Sequence, residues 1–181
     1  MRICIIAEGS YPYVVGGVSS WTHSLINSFP EQEFVILAIV ANRSLRGKYV
    51  YDLPDNVTEI HELYLDDLDW ERKKRRKSRM DKREYEALRN LLLGQETEWE
   101  VLFDFFQKNE ISLNDMLMGE DFLRAVTEYY KLHYSQLVFS DFLWMLRSIY
   151  LSLFTTLKME IPKADVYHCL CTGYAGVLGS M

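Results

Sequence analysis

Runs of apolar residues near the start of the chain predict buried strands. The segment Met1–Ala7 is short, apolar and β-branched, and Phe34–Ala41 is continuously apolar. Continuous apolar strands are typical of parallel sheets that helices cover on both faces. The intervening segment Val18–Phe29 has the apolar spacing of one helical face, with Val18, Trp21, Leu25 and Phe29. A strand, a helix and a strand in this order predict a right-handed βαβ unit.

The pattern continues with a third strand and then changes its period. The third strand is predicted at Val57–Leu65, after a polar loop. From Asp66 onward the apolar spacing is helical. It predicts helices at Glu71–Leu93, Glu96–Lys108, Asp121–Gln136 and Phe139–Leu157. After Pro162 the segment Ala164–Cys171 again has strand character, and a short helical pattern follows from Val177.

These elements predict an α/β fold, a Rossmann-like parallel sheet that carries a large α-helical insertion. Residues 1–65 would be the first βαβ part of the sheet domain, and residues 66–161 the insertion. Residues 162–181 would return to the sheet with one strand and the start of a truncated helix. If the first strand is central, the second and third strands extend the sheet on one side and the returning strand lies on the other.

Two glycine turns follow predicted strands, and each precedes a helix. The first spans Glu8–Val18 and contains Gly16 and Gly17, and the second is Thr172–Gly176, with Thr172 as a predicted N-cap. A crevice forms where strand order reverses, and helix N-termini there favour anions. We therefore expect both turns to flank one ligand site. The candidate binding residues are Glu8, Tyr13, Gly16, Gly17, Thr172, Gly173 and Tyr174.

Two side chains near these turns permit both a structural and a functional interpretation. Glu8 is either a hydrogen-bond acceptor within its loop or a contact to a ligand. His168 lies in a predicted apolar strand, which favours a buried core histidine, although its place near the strand's carboxyl end allows a functional role. No dinucleotide fingerprint is present, since the glycine after Gly9 is Gly16, and Walker, His-Glu-x-x-His and Gly-x-Ser-x-Gly motifs are also missing from the sequence.

Charge is unevenly distributed along the chain. The net charge of −6 argues against nucleic acid as a partner, yet Glu71–Arg89 holds ten of the twenty Lys and Arg residues. That segment is either a solvated helix face or a contact to a membrane surface or an acidic partner.

The sequence predicts neither a membrane-spanning helix nor a signal peptide. The apolar run Leu137–Met159 is interrupted by charged residues, and the segment before Glu8 is too short for a signal peptide. The three cysteines predict small core residues in a reducing compartment.

The opening block Glu8-Gly-Ser-Tyr-Pro-Tyr-Val-Val-Gly-Gly-Val-Ser-Ser-Trp21 resembles the start of the PelF-type glycosyltransferases. Asp165-Val-Tyr-His168 and Thr172-Gly-Tyr-Ala-Gly176 continue the resemblance. It implies a retaining, metal-independent enzyme of glycosyltransferase family 4 with the GT-B fold, requiring no cofactor. The implied reaction moves a sugar from a UDP-sugar, with UDP-glucose as the expected donor, to a growing exopolysaccharide.

The resemblance also implies partners, a location and a catalytic candidate. The enzyme would be cytoplasmic and peripheral at the inner membrane, where the basic helix Arg72–Arg83 could contact synthase components. His168 is the catalytic candidate. Many family members carry Asp-x-x-His-x-His, with the second histidine beside the sugar, and Leu170 stands at that position here.

The resemblance further implies that the chain is the amino-terminal, acceptor-side portion of a two-domain enzyme and is inactive by itself. A carboxyl-terminal domain would supply most nucleotide contacts. Two alternatives remain open from the residues alone. One is a stand-alone flavodoxin-like domain that binds a phosphate-bearing ligand, and the other is a non-catalytic interaction module that docks through the basic helix.

Overall fold

Four parallel strands form the sheet that the apolar runs predict. A computed structural model describes residues 1–66, 79–109 and 111–181. The strands are β1 (Arg2–Glu8), β2 (Glu33–Val40), β3 (Val57–Tyr64) and β4 (Val166–Cys169). Their order is β3-β2-β1-β4, and every neighbouring pair is parallel. The predicted α/β, Rossmann-like arrangement is confirmed, and so is the position of the returning strand beside β1.

Helices cover the two faces of this sheet. Helix α1 (Gly17–Ser28) packs Ile26 against one face, in a cluster that includes Ile5 and Ile36. On the other face Ala175 and Leu178 pack in a second cluster; both belong to the last helix of the chain, Tyr174–Ser180. Because both faces are covered, Cys4–Ala7 of β1 and all of β2 after Glu33 are buried, as continuous apolar strands require.

Helix α1 buries a different face from the one that its apolar spacing indicates. The buried residues are Ser19, Thr22 and Ile26, whereas Val18 and Trp21 are each 50% exposed. Thr22 is tolerated in the interior because its hydroxyl donates to the Val18 carbonyl at 2.8 Å. Two of the three buried side chains are thus small, whereas Val18 and Trp21 of the predicted stripe are half exposed.

Residues 79–109 and 111–158 form a second compact unit, which is helical, while residues 1–66 and 159–181 form the first. The helices of this second, helical unit are α2 (Lys82–Leu93), α3 (Trp99–Lys108), α4 (Leu113–Leu117), α5 (Glu120–Tyr129) and α6 (Phe139–Leu157). The last helix of the chain, Tyr174–Ser180, is α7 and belongs to the first unit. A π-helical turn, Tyr130–Tyr134, continues α5. In the core, the ring of Phe154 lies 5.0 Å from that of Phe106 in a tilted arrangement and 6.3 Å from that of Phe122 in an edge-to-face arrangement, measured between centroids.

The boundaries of these helices correct several predictions. Helix α2 begins at Lys82, whereas the predicted helix began at Glu71. Asp81 and Glu84 form a capping box that fixes this start. Residues 71–78 of the predicted helix lie outside the described residues. Helix α4 was not predicted, and Ser112 caps it. Ile149 lies at helical spacing from the buried Phe142 and Leu146 of α6 but is 55% exposed.

Helix α7 begins three residues before the predicted start at Val177. Its N-cap is Gly173, not Thr172, and no side chain caps it. In the described parts of the chain, no single helix combines the length and apolarity that crossing a membrane requires. The segments Glu120–Tyr134 and Phe139–Leu157 meet that criterion only together, as a pair bent by 117°.

Candidate functional site at the carboxyl ends of β1 and β4

The carboxylate of Glu8 joins the end of β1 to the turn after β4. Its Oε2 accepts a hydrogen bond from the backbone N–H of Ala175 at 3.1 Å and another from the Cys171 thiol at 3.3 Å. Gly173 packs so closely that a Cβ there would lie 2.7 Å from the same oxygen. Glu8 is therefore a hydrogen-bond acceptor, but its donors lie in the turn after β4, whereas one of its two interpretations expects them within its own loop. A contact to a ligand stays a prediction.

The three cysteines differ in their surroundings. Cys4 is fully buried in β1, whereas Cys171 is exposed, so the prediction of a core position is wrong for Cys171. Partial desolvation, helped by the hydrogen bond to Glu8, raises the pKa of the Cys171 thiol. The protonated thiol can therefore act as the donor to Glu8.

The first half of the glycine loop is anchored in the core. Gly9 adopts φ 58°, a left-handed conformation that favours glycine, and donates its N–H to the Ile39 carbonyl at 3.0 Å. Tyr11 is fully buried and its hydroxyl lies 3.3 Å from Nδ1 of His23 in α1. Burial raises the pKa of Tyr11 to about 12. The loop is therefore fastened to β2 and to α1 before it reaches the surface.

The side chain of Tyr13 is bound to β3. In the sheet, β3 and β4 lie on opposite sides of β1. The Tyr13 hydroxyl donates to the carboxylate of Glu62, which also accepts from the Tyr49 hydroxyl at 3.0 Å. Burial and this hydrogen bond raise the pKa of Tyr13 well above its ordinary value. The structure does not bring the Tyr13 hydroxyl to Glu8, and a ligand contact by Tyr13 stays a prediction.

Gly16 and Gly17 lie at the exposed end of the loop, where α1 begins. Gly16 is the N-cap of α1 and provides no capping side chain. Its φ of 175° is extended backbone that any residue adopts, and nothing lies within 4 Å of a Cβ placed at either glycine. Neither the backbone nor the neighbouring atoms require glycine here. The open space lies beside uncapped N–H groups at a positive helix end.

His168 is exposed on β4 and contacts a tryptophan of α1. The rings of His168 and Trp21 have centroids 5.8 Å apart and an interplanar angle of 33°. The expectation of a buried core histidine is wrong, because β4 lies at an edge of the sheet. Leu170, two residues further on, packs against the core cluster around Ile5 instead. The sequence pattern assigned Trp21 to an apolar stripe and missed its place beside His168.

A family described as "Domain of unknown function (DUF3492)" matches residues 1–181. The chain belongs to this family. No curated protein and no solved structure matches the DUF3492 chain.

The first residue of the Asp165–His168 motif has a structural role in the DUF3492 chain. Asp165 accepts from the backbone N–H of Arg2 at 2.7 Å through its carboxylate, and its own N–H donates to the Arg2 carbonyl at 2.8 Å. These two bonds fix the start of β4 against the start of β1. The remaining predicted residues lie beyond the strand, Thr172 exposed and Tyr174 packed partly against the core around Ala175.

The described residues of the DUF3492 chain contain no group of three or more His, Cys, Asp or Glu side chains arranged to hold a metal ion. Metal independence stays a prediction of the family resemblance. The structure brings the Glu8 carboxylate to the backbone of the Gly173 turn, where β1 and β4 leave the sheet as parallel neighbours. The ring pair of Trp21 and His168 is a separate contact beside β4, level with Ile5 in the middle of β1.

Proposed function

We propose that the DUF3492 chain forms the acceptor-side part of a retaining glycosyltransferase of the PelF type. The enzyme transfers a sugar from a UDP-sugar, with UDP-glucose as the expected donor, to a growing exopolysaccharide. One observation carries the proposal: two glycine turns leave the carboxyl ends of neighbouring parallel strands at the point where strand order reverses. The domain is also found in glycosyltransferase-like proteins.

The glycine loop is suited to approach a phosphate group of the donor. Gly16 and Gly17 are exposed and leave room beside the uncapped first turn of α1, where an anion is favoured. A side chain at either position would occupy this open space, and its Cβ would contact no other atom of the described protein. We assign the diphosphate of the donor to this side of the crevice.

The opposite wall consists of the turn at Thr172, Gly173 and Tyr174, which Glu8 holds in place. Trp21 and His168 provide an exposed aromatic surface beside β4, which suits a sugar ring. In retaining transfer of this type the leaving diphosphate assists the acceptor. The proposal therefore needs neither a protein nucleophile nor a metal cofactor.

The proposal also includes a second domain, a location and a docking surface. A GT-B partner domain would supply the remaining donor contacts. The protein would work in the cytoplasm at the inner membrane, with synthase components bound by the basic segment Arg72–Arg83. Of that segment's cations the structure describes Arg79, Lys82 and Arg83, and Arg83 pairs with Glu98 at 2.6 Å.

The test is the double variant Gly16→Val with Gly17→Val in the complete natural protein. We expect turnover of UDP-glucose to fall at least 100-fold, while the melting temperature of the 181-residue chain stays unchanged, since both Cβ positions are open. Ser24→Val, at an exposed position of the same helix, is the control and should leave turnover unchanged. Full activity in the glycine double variant would remove the loop from the donor site.

A further inference from the structure

The helical unit contains a buried arginine that has no acidic partner among the described residues. Arg147 in α6 is only 9% exposed. Its Nη2 donates to Oδ1 of Asn114 at 2.6 Å, whereas Nη1 is buried and has no hydrogen-bond partner among the described residues. Burial lowers the pKa of Arg147, yet a guanidinium remains charged at neutral pH. A buried charge that is incompletely paired destabilises the folded state. An anionic ligand that pairs with Arg147 would remove this destabilisation.

Arg147 lines an open groove formed by α2, α4, α5 and α6. Two other cations of this groove are already neutralised. Arg89 pairs with Glu128, and Arg124 pairs with Asp121 at 3.1 Å. Among the described residues no carboxylate forms an ion pair with Arg147. Arg147 thus contributes to the lining of the groove a guanidinium whose Nη1 has no hydrogen-bond partner among the described residues.

We propose that this groove binds a small-molecule oxyanion, a phosphate or a carboxylate, through the guanidinium of Arg147. Arginine suits such groups because its planar fork matches their oxygens. Asn114 holds the other arm of the fork and fixes its direction. The indole of Trp144 lies 5.2 Å from the guanidinium carbon and is 58% exposed, which provides a flat surface for the rest of the ligand.

This site is separate from the proposed donor crevice in its residues and in its chemistry. All of its side chains belong to the helical unit, whereas Glu8, Gly16 and Gly173 belong to the sheet unit. Failure of the glycosyltransferase proposal would not affect it. Anion binding here is measured without any sugar transfer.

The experiment titrates the 181-residue chain with inorganic phosphate, and in parallel with acetate, against sodium chloride of equal ionic strength. Binding is followed by calorimetry and by the melting temperature, which rises when a ligand binds the folded state. We expect one of the two anions to bind saturably and Arg147→Met to weaken that binding at least tenfold. Arg83→Met, an exposed arginine of α2 outside the groove, should bind like the parent chain.

A second variant keeps the test decisive if Arg147→Met fails to fold. Asn114→Asp places a carboxylate against the guanidinium, which should raise stability and abolish anion binding by occupying the fork. The proposal is overturned if neither anion binds more strongly than chloride. It is equally overturned if Asn114→Asp or a folded Arg147→Met binds as tightly as the parent chain. The stronger of phosphate and acetate identifies the class of the natural ligand.

Discussion

Replacing Tyr13 with phenylalanine separates its structural role from the predicted role in ligand binding. The substitution removes the hydroxyl that donates to Glu62, whose side chain is 14% exposed. The ring still packs on Tyr49, with centroids 5.3 Å apart. A hydrogen bond to a charged group contributes about 1.5–3 kcal/mol. Since Tyr49 still donates to Glu62 in the variant, we expect unfolding free energy to fall by about 2 kcal/mol.

The loss should depend on pH in a defined direction. Burial by itself would raise the pKa of Glu62, but the hydroxyl of Tyr13, together with those of Tyr64 and Tyr49, outweighs it and holds that pKa below its usual value. A carboxyl with a lowered folded-state pKa stabilises the fold above its unfolded pKa of about 4.3, and this stabilisation is lost as pH falls. The difference between parent and Tyr13→Phe should therefore be largest at neutral pH and shrink below about pH 4.

The assay is urea unfolding at neutral and at acidic pH, followed by circular dichroism of the aromatic bands. Tyr49→Phe is the matched control, since it removes the less buried donor to the same oxygen and should cost less. A loss below about 0.5 kcal/mol, or an equal loss at both pH values, would refute the reasoning, because hydrogen bonds to charged groups exceed that amount. Weaker UDP binding with unchanged stability would instead assign Tyr13 to the ligand site.

Three glycines near β4 give further predictions, all read from urea unfolding. Gly173→Ala should displace the Glu8 carboxylate, which its Cβ would approach to 2.7 Å, and cost about 1–3 kcal/mol. In Gly176→Ala the new Cβ would lie 3.8 Å from its nearest neighbour, so the free energy of unfolding should stay unchanged or rise by up to about 1 kcal/mol through helix propensity. Equal stability of Gly173→Ala and Gly176→Ala would contradict these two predictions. Gly179→Ala places a Cβ 2.3 Å from the sulfur of Cys169 and should cost about 1–3 kcal/mol. Adding Cys169→Ala should recover much of that loss, and no recovery would exclude the clash as its cause.

The sheet was predictable because burial on both faces leaves a local signature. The strands β1 and β2 are continuously apolar, and only a parallel sheet under helices buries such strands completely. The buried face of α1 was not predictable in the same way. Its interior residues Ser19 and Thr22 are small, and the hydroxyl of Thr22 is satisfied within the helix. The apolar spacing pointed to Trp21, which the structure places at the surface.

The candidate site was predictable in its location but not in its contacts. Turns after parallel strands identify the sheet edge, because all carboxyl ends of parallel strands meet there. The bond between Glu8 and the Ala175 N–H joins residues 167 positions apart, and no local pattern reports such a pairing. The pairing of Trp21 with His168 also depends on the exposed edge position of β4, which follows from topology and not from the composition of that strand.

The pairing of β4 with β1 has a consequence for how the chain folds. Strands β1, β2 and β3 find their neighbours nearby in sequence, whereas Arg2 and Asp165 meet across 163 positions, with the helical unit between them. Closing so long a loop carries an entropic cost before any contact repays it. Strand β4 and α7 should therefore join last and open first. Amide protons of β4 would exchange with solvent through openings smaller than global unfolding, while those of β1 and β2 exchange only when the whole sheet unfolds.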